Sequence, residues 1–191
     1  MYLSVLQDSR LYQLLLKIDQ DLANAARRSK CQFCEATLHS ACYDRKPRGL
    51  PEGVDPGPAY RIRFSFCCSA EGCRRRNMPP SVRFLGPKVY LSVMVVLLTA
   101  MRQGPTPRSA RKLQGIFGVD RRTLARWRVW WQATFPETRF WQRIKARFMP
   151  PVDHDGLPGS LVDRFGADSD APMLDRVVRL LKLLSKFAAA F

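Results

Sequence analysis

Residues 117–131 read Phe117-Gly-Val-Asp-Arg-Arg-Thr-Leu-Ala-Arg-Trp-Arg-Val-Trp-Trp131. Gly118 can take the left-handed conformation of a tight turn, and Val119 can plug the corner behind it. Asp120 is a typical N-cap residue for the helix that follows. Apolar residues at helical spacing stand on both sides of the turn: Leu113, Phe117, Leu124 and Trp127. The stretch therefore predicts two helices joined by a tight turn, the helix-turn-helix pattern.

Arginines occupy the start of the second predicted helix. In a helix-turn-helix, these positions meet base edges in the major groove, and arginine is the usual reader of guanine. We expect base contacts from Arg121, Arg122 and Arg126. Other basic residues are expected to hold phosphate, which positions the protein without reading sequence: Arg108, Arg111, Lys112 and Arg128.

One position departs from the usual motif. A small residue normally packs against the second helix four residues before the turn glycine. Here that residue is Gln114, followed by Gly115. We expect looser packing, or packing shifted by one residue.

The net positive charge of the chain favours a polyanionic partner. The 191 residues carry 32 Lys and Arg against 16 Asp and Glu, a net of +16. Residues 61–150 hold 19 basic and 3 acidic residues, so this segment alone has a net charge of +16. Residues 151–175 are acidic, with six Asp and one Arg. Such concentration favours nucleic-acid binding over a uniformly solvated basic surface.

All six cysteines lie within 43 residues, between positions 31 and 73. Cys31-Gln-Phe-Cys34 forms a C-x₂-C pair, and Cys67-Cys68-Ser-Ala-Glu-Gly-Cys73 supplies a second pair. Two tight turns of this kind can close around zinc, which prefers four soft ligands in a tetrahedron. We predict a structural zinc site held by Cys31, Cys34, Cys68 and Cys73, with Cys67, His39 and Cys42 as alternative ligands. Arg74, Arg75 and Arg76, beside the second pair, are expected to hold phosphate.

The predicted fold is mainly α-helical, with a small zinc ribbon of short strands, a helix-turn-helix domain and a C-terminal amphipathic helix. A strand with alternating apolar residues is expected from Tyr60 to Phe66, and a buried helix from Val89 to Met101. The predicted order is an N-terminal helix (1–30), the zinc-ribbon-like module (31–86), the helix-turn-helix domain (87–149), a linker (150–172) and the final helix (173–191).

Several function classes are disfavoured. No apolar run reaches the roughly 18 residues of a membrane helix, and no export signal is evident at the N-terminus. We therefore expect a cytoplasmic, nucleoid-associated protein. The basic segment has only Glu71, Asp120 and Glu137 as acids, too few to predict a nuclease centre. We expect no enzymatic activity.

Several motifs carry a family resemblance. The cysteine module resembles a family of bacterial zinc-ribbon proteins at Cys31-x₂-Cys34, His39, Arg45–Gly49, Phe66–Cys68, Gly72–Arg76 and Pro79–Leu85. The later segments resemble the helix-turn-helix parts of insertion-sequence and transposase-related proteins at Gly118–Trp127 and Phe140–Phe148. Together the two cover roughly residues 20–165. The resemblance implies a bacterial mobile-element or regulatory role, and it supplies no catalytic domain.

The expected function is non-catalytic duplex-DNA binding. One rival is an RNA-binding zinc-ribbon protein, which would prefer single strands. Another is an assembly subunit that docks on a transposase or polymerase. The C-terminal amphipathic helix is the expected surface for such a partner or for self-association.

Overall fold

The computed structural model describes residues 4–45, 50–85, 89–90, 95, 99, 111, 114–166 and 171–188. Within these residues the chain is mainly helical with small antiparallel sheets, as predicted. The N-terminal part consists of α1 (Ser4–Gln7) and α2 (Ser9–Arg28). Asp8 caps α2 by accepting a hydrogen bond from the Arg10 backbone N–H at 2.9 Å.

Short strands follow α2. They are β1 (Leu38–Ser40), β2 (Tyr43–Asp44), β3 (Ile62–Arg63), β4 (Phe66–Cys68), β5 (Arg76–Asn77), β6 (Phe84–Leu85) and β7 (Val89–Tyr90). A three-stranded antiparallel sheet has the order β1-β4-β5, whereas β2 pairs with β3 and β6 with β7. In the larger sheet Leu38 is opposite Cys68, and His39 is opposite Cys67.

The prediction of one continuous strand from Tyr60 to Phe66 is wrong. Tyr60 lies in a 3₁₀ turn (Pro58–Arg61), and β3 and β4 pair with different partners. Arg63 is buried, and its guanidinium donates to the carbonyls of Pro79 at 2.7 Å and Phe64 at 3.1 Å, which offsets the cost of burial. The predicted start of the next helix also differs, since Val89 lies in β7, whereas Val95 and Thr99 are helical.

After the helical residues Val95, Thr99 and Arg111, the described chain is helical at positions 114–117 and continues with α3 (Arg121–Val129). A π-helical turn (Trp130–Thr134) joins α3 to α4 (Phe135–Glu137), and the Phe135 N–H bonds to the Trp130 carbonyl five residues back. Pro136 explains this widening, because it has no N–H for the regular helical bond. Helices α5 (Arg139–Ile144), α6 (Gly159–Arg164) and α7 (Met173–Ala188) complete the described chain, with a 3₁₀ turn (Lys145–Arg147) after α5.

One large core joins segments that the sequence predicts to be separate. Residues 150–172, predicted as a linker, contain α6 and contribute four core residues: Val152, Leu157, Leu161 and Val162. The described part of this segment is therefore packed and is not a linker. The apolar face of α7 is likewise buried in this core, through Val177, Val178, Leu180, Leu181 and Leu184. The face that we expected to recruit a partner is covered by the chain itself.

Candidate metal centre and basic surfaces

The first cysteine turn follows directly from α2. The Glu35 N–H donates to the Cys31 carbonyl at 2.8 Å, and the Cys31 N–H donates to the Ala36 carbonyl at 3.0 Å. Glu35 has a φ of +59°, a conformation that lets the chain leave this tight loop at once. The loop therefore holds the side chains of Cys31 and Cys34 close together.

The second cysteine turn repeats this plan. It begins at Cys68, the last residue of β4, and the N–H groups of Cys73 and Arg74 both donate to the Ala70 carbonyl at 3.0 Å. Arg74 has a φ of +44°. In both turns, the residue immediately after the second cysteine takes the left-handed conformation. The Cys68 N–H donates to the Arg75 carbonyl at 3.0 Å, which ties the two ends of the turn together.

The two turns bring four sulfurs into one cluster. The Sγ atoms of Cys31, Cys34, Cys68 and Cys73 all lie within 4.8 Å of one another. The Cys31–Cys73 distance is 3.8 Å, and the Cys34–Cys68 distance is 3.4 Å. With zinc–sulfur bonds of about 2.3 Å, a tetrahedral site has sulfur–sulfur edges of about 3.8 Å. The predicted quartet therefore has the spacing and the donor atoms that could hold a metal ion.

The sulfurs differ in their affinity for protons. The backbone N–H of Phe33 is the main cause that lowers the pKa of Cys31 to about 7, since this hydrogen bond favours the thiolate. Burial is the main cause that raises the pKa of Cys68 to about 12. A divalent cation at the centre would offset the cost of the buried negative charge, because it binds the thiolate form.

The alternative ligands lie outside the cluster. Cys67 precedes Cys68 on β4, and strand alternation directs its Sγ to the other side, 3.4 Å from the Arg74 carbonyl. His39 is exposed on β1 opposite Cys67, and the Cys42 Sγ lies 3.3 Å from the Ser40 Oγ. Within the described ranges, the quartet is the one group of three or more His, Cys, Asp or Glu residues close enough together to hold a metal ion.

The arginines beside the second turn are exposed, and two of them contact aromatic rings. The Arg75 guanidinium carbon lies 4.2 Å from the ring centroid of Phe33, and that of Arg76 lies 5.6 Å from Tyr43. Arg74 is also exposed. The Phe33–Arg75 contact was not predicted from the sequence. The available signal was a large apolar residue between the two cysteines of the first turn.

The predicted turn before α3 has the expected local geometry. Gly118 has a φ of +62°, and its N–H donates to the Gln114 carbonyl at 2.9 Å. Buried apolar side chains flank the turn: Phe117, Val119 and Leu124. Gln114 and Gly115 are both exposed, and a Cβ at Gly115 would meet no atom within 4 Å. Both positions are therefore open to solvent.

Helix α3 is capped at its N-terminus by the Asp120 side chain. The Asp120 Oδ1 accepts the Thr123 N–H at 2.8 Å, and this hydrogen bond is the main cause that lowers the pKa of Asp120. Arg121, Arg122 and Arg126 are exposed, and the Arg126 Nη2 donates to the Thr123 Oγ1 at 3.1 Å.

The residues expected to hold phosphate differ in their exposure to solvent. Arg128 is half-buried, and its Nε donates to the Gln132 Oε1 at 3.3 Å. Arg111 is exposed. Arg108 and Lys112 lie outside the described residues.

None of the helices in the described ranges is both long and apolar enough to cross a membrane. Comparison of the chain with protein-family models, with curated proteins and with solved structures finds no match.

Proposed function

We propose that this protein is a non-catalytic duplex-DNA-binding protein with a helix-turn-helix reader and a structural zinc centre. One observation carries the proposal: Arg121 and Arg122 are exposed in the first turn of a capped helix that follows a glycine turn, and Arg126 is exposed further along the same helix. These are the positions at which a helix-turn-helix meets base edges.

The outer face of α3 suits the major groove in both charge and shape. Residues at helical spacing on this face are all exposed: Arg122, Ala125, Arg126 and Val129. The arginines can each donate two hydrogen bonds to the O6 and N7 atoms of guanine. Because Leu124 is buried on the opposite side, the helix is anchored while this face stays open.

The charge distribution supports attraction to DNA over distance. The net charge of +16 in residues 61–150 would displace counterions from the phosphate backbone, so binding would weaken steeply as salt rises. The arginines beside the second cysteine turn would add to this contribution.

The metal is proposed to be zinc in a structural role. Four cysteine sulfurs form a soft, closed ligand set, which leaves no coordination position for water or substrate. The cluster also has its own small hydrophobic core of Ala23, Cys31, Leu38, Phe66 and Cys68. A module with so few buried residues depends on metal for much of its stability.

The cellular role proposed from the resemblance is that of a mobile-element or regulatory protein at the bacterial nucleoid. Association with a transposase or with a second copy belongs to the same proposal. A docking surface other than the covered face of α7 would be required for it.

The test is a binding selection from a random duplex-DNA pool at physiological salt with zinc-loaded protein. The test variant is Arg122→Ala. The control is Arg179→Ala, which removes the same charge from an exposed position on α7. We expect an enriched motif of several base pairs that contains guanine, lost in the first variant and retained in the second.

Three results would count against the proposal. Binding without an enriched motif would mean that charge alone holds DNA. Stronger retention of folded RNA in competition would favour the RNA-binding rival. Absence of DNA retention, together with a co-purifying protein, would favour the assembly subunit.

A further inference from the structure

We propose that the zinc module carries a second nucleic-acid surface, which binds an unpaired nucleotide by stacking its base on Phe33. This surface, the stacking platform, consists of Phe33 and Arg75. It is separate in sequence and in chemistry from α3, whose proposed ligand is the groove of a duplex.

Phe33 lies exposed in the first cysteine turn. It lies between the ligating Cys31 and Cys34, and 55% of its surface is exposed. The turn beneath the ring is held by backbone hydrogen bonds, from the Glu35 N–H to the Cys31 carbonyl at 2.8 Å and from the Cys31 N–H to the Ala36 carbonyl at 3.0 Å. An exposed aromatic ring on a fixed turn loses little conformational freedom when it binds a flat partner.

Arg75 places a positive charge against the Phe33 ring. Its guanidinium carbon lies 4.2 Å from the Phe33 ring centroid, which is a cation–π contact. More than half of Phe33 stays open in spite of this contact. A base stacked on the open part of the ring would have its phosphate close to a guanidinium group.

The charge around the two cysteine turns matches this ligand. Six exposed basic residues flank the turns: Arg27, Arg28, Lys30, Arg74, Arg75 and Arg76. Two exposed acids, Glu35 and Glu71, lie in the same stretches. The surplus in these stretches is positive, and one of its members, Arg75, contacts an exposed aromatic ring. Basic groups together with an exposed aromatic ring are the combination used by proteins that bind single strands.

The geometry favours an unpaired nucleotide over a duplex. Bases within a duplex are stacked on one another and offer only their edges to a protein, whereas an unpaired base can present its face. Phe33 has no hydrogen-bonding group with which to read an edge, so its ring suits a base face.

The test uses zinc-loaded full-length protein and fluorescence anisotropy at physiological salt. The probes are a labelled 12-nucleotide oligo-dT, a labelled 12-nucleotide oligo-U and a duplex of matched length. Phe33→Leu keeps an apolar side chain without a ring face, and Phe33→Trp restores a ring. Met78→Leu is the control, because Met78 is an exposed apolar residue in the same module. Zinc content is measured for every variant.

We expect Phe33→Leu to weaken oligonucleotide binding by about 10- to 100-fold and to leave duplex affinity and zinc content unchanged. Phe33→Trp should restore binding, and Met78→Leu should resemble the wild type. Arg122→Ala should show the opposite pattern, with weaker duplex binding and normal oligonucleotide binding. A failure of one surface is therefore distinguishable from a failure of the other.

The two oligonucleotide arms identify the source of the ligand. Equal affinity for oligo-dT and oligo-U would show that the surface binds an unpaired base whichever sugar carries it. Stronger binding of oligo-U would identify the ligand as RNA. The proposal is overturned if zinc-loaded Phe33→Leu binds oligonucleotides like the wild type, or if it weakens duplex and oligonucleotide binding equally.

Discussion

Asp19 and Arg83, 64 residues apart in the chain, form an ion pair that is fully buried. The Arg83 Nε donates to the Asp19 Oδ2 at 2.7 Å, and the Val82 N–H donates to the Asp19 Oδ1 at 2.7 Å. The remaining guanidinium nitrogens donate to the carbonyls of Tyr60 at 2.5 Å and Ile62 at 2.9 Å. The pair therefore ties α2 to the segment that leads into β3 and to the segment before β6.

Asp19→Asn should destabilise the protein by about 3–5 kcal/mol, because it leaves the buried Arg83 charge without its counterion. The measurement is chemical denaturation of zinc-loaded protein, followed by circular dichroism. The control is Asp21→Asn on the same helix. Asp21 pairs with Lys17 at 3.2 Å, but both side chains are more than 60% exposed. Its loss should cost less than about 1 kcal/mol. Similar losses for the two variants would contradict the role assigned to the buried pair.

Cys68→Ser should abolish binding of one zinc ion per chain, whereas Cys67→Ser should retain it. The physical reason is that the two neighbouring sulfurs lie on opposite sides of β4, and only Cys68 faces the cluster. Zinc content and the thiolate-to-metal absorption of cobalt-loaded protein both report the result. Retention of the ion by Cys68→Ser with loss in Cys67→Ser would show that the cluster is assigned to the wrong cysteine.

Gly118→Ala should lower the free energy of unfolding by about 1–2 kcal/mol, because a φ of +62° is unfavourable for a residue with a Cβ. Gly115→Ala is a matched control three residues earlier. It is helical, with open space around its Cβ position, and should raise stability by about 0.5–1 kcal/mol. The two variants are compared by urea denaturation. Shifts of the same sign would refute the turn geometry.

Asp120→Asn should remove a pH-dependent part of the stability of α3. The lowered pKa of Asp120 in the folded protein means that its carboxylate form stabilises the fold. That contribution is present above the unfolded-state pKa and is lost as pH falls through the folded-state pKa. The excess Tm of the wild type over the variant should therefore shrink as pH falls from 6 to 3.

Thermal unfolding of both proteins across this pH range checks the expectation. Loss of zinc at acid pH affects both alike, since Asp120 is not a ligand. A Tm difference that stays constant with pH would mean that the Asp120 charge contributes nothing to the cap.

Local signals in the sequence were sufficient for several features. The cap at Asp120 and the turn at Gly118 depend on residues within three or four positions of each other, so adjacent chemistry decides them. The quartet was predictable because the close pairs Cys31–Cys34 and Cys68–Cys73 each occupy one turn. DNA binding stays a prediction, since it depends on a partner that the fold alone does not reveal.

Other features had weak signals or none. Asp19 follows Leu11 and Leu15 at intervals of four residues, so it stands on the apolar face of α2, but its partner Arg83 is far away in sequence. The choice between Cys67 and Cys68 required the register of β1 against β4. Proline and aspartate in residues 150–172 suggested a linker, yet a few apolar side chains were enough to pack the segment into the core.

The sequence by itself determined the helical class, the two cysteine turns, the capped start of α3 and the excess of positive charge. These follow from spacing, capping and composition, which act over a few residues or are simple counts. The tertiary structure decided the burial of Arg63, the Asp19–Arg83 pair, the shared core of α6 and α7 and the contact between Phe33 and Arg75. Each of these depends on which distant segments meet, because burial and pairing energies arise only when chain folding brings such groups together and excludes water from between them.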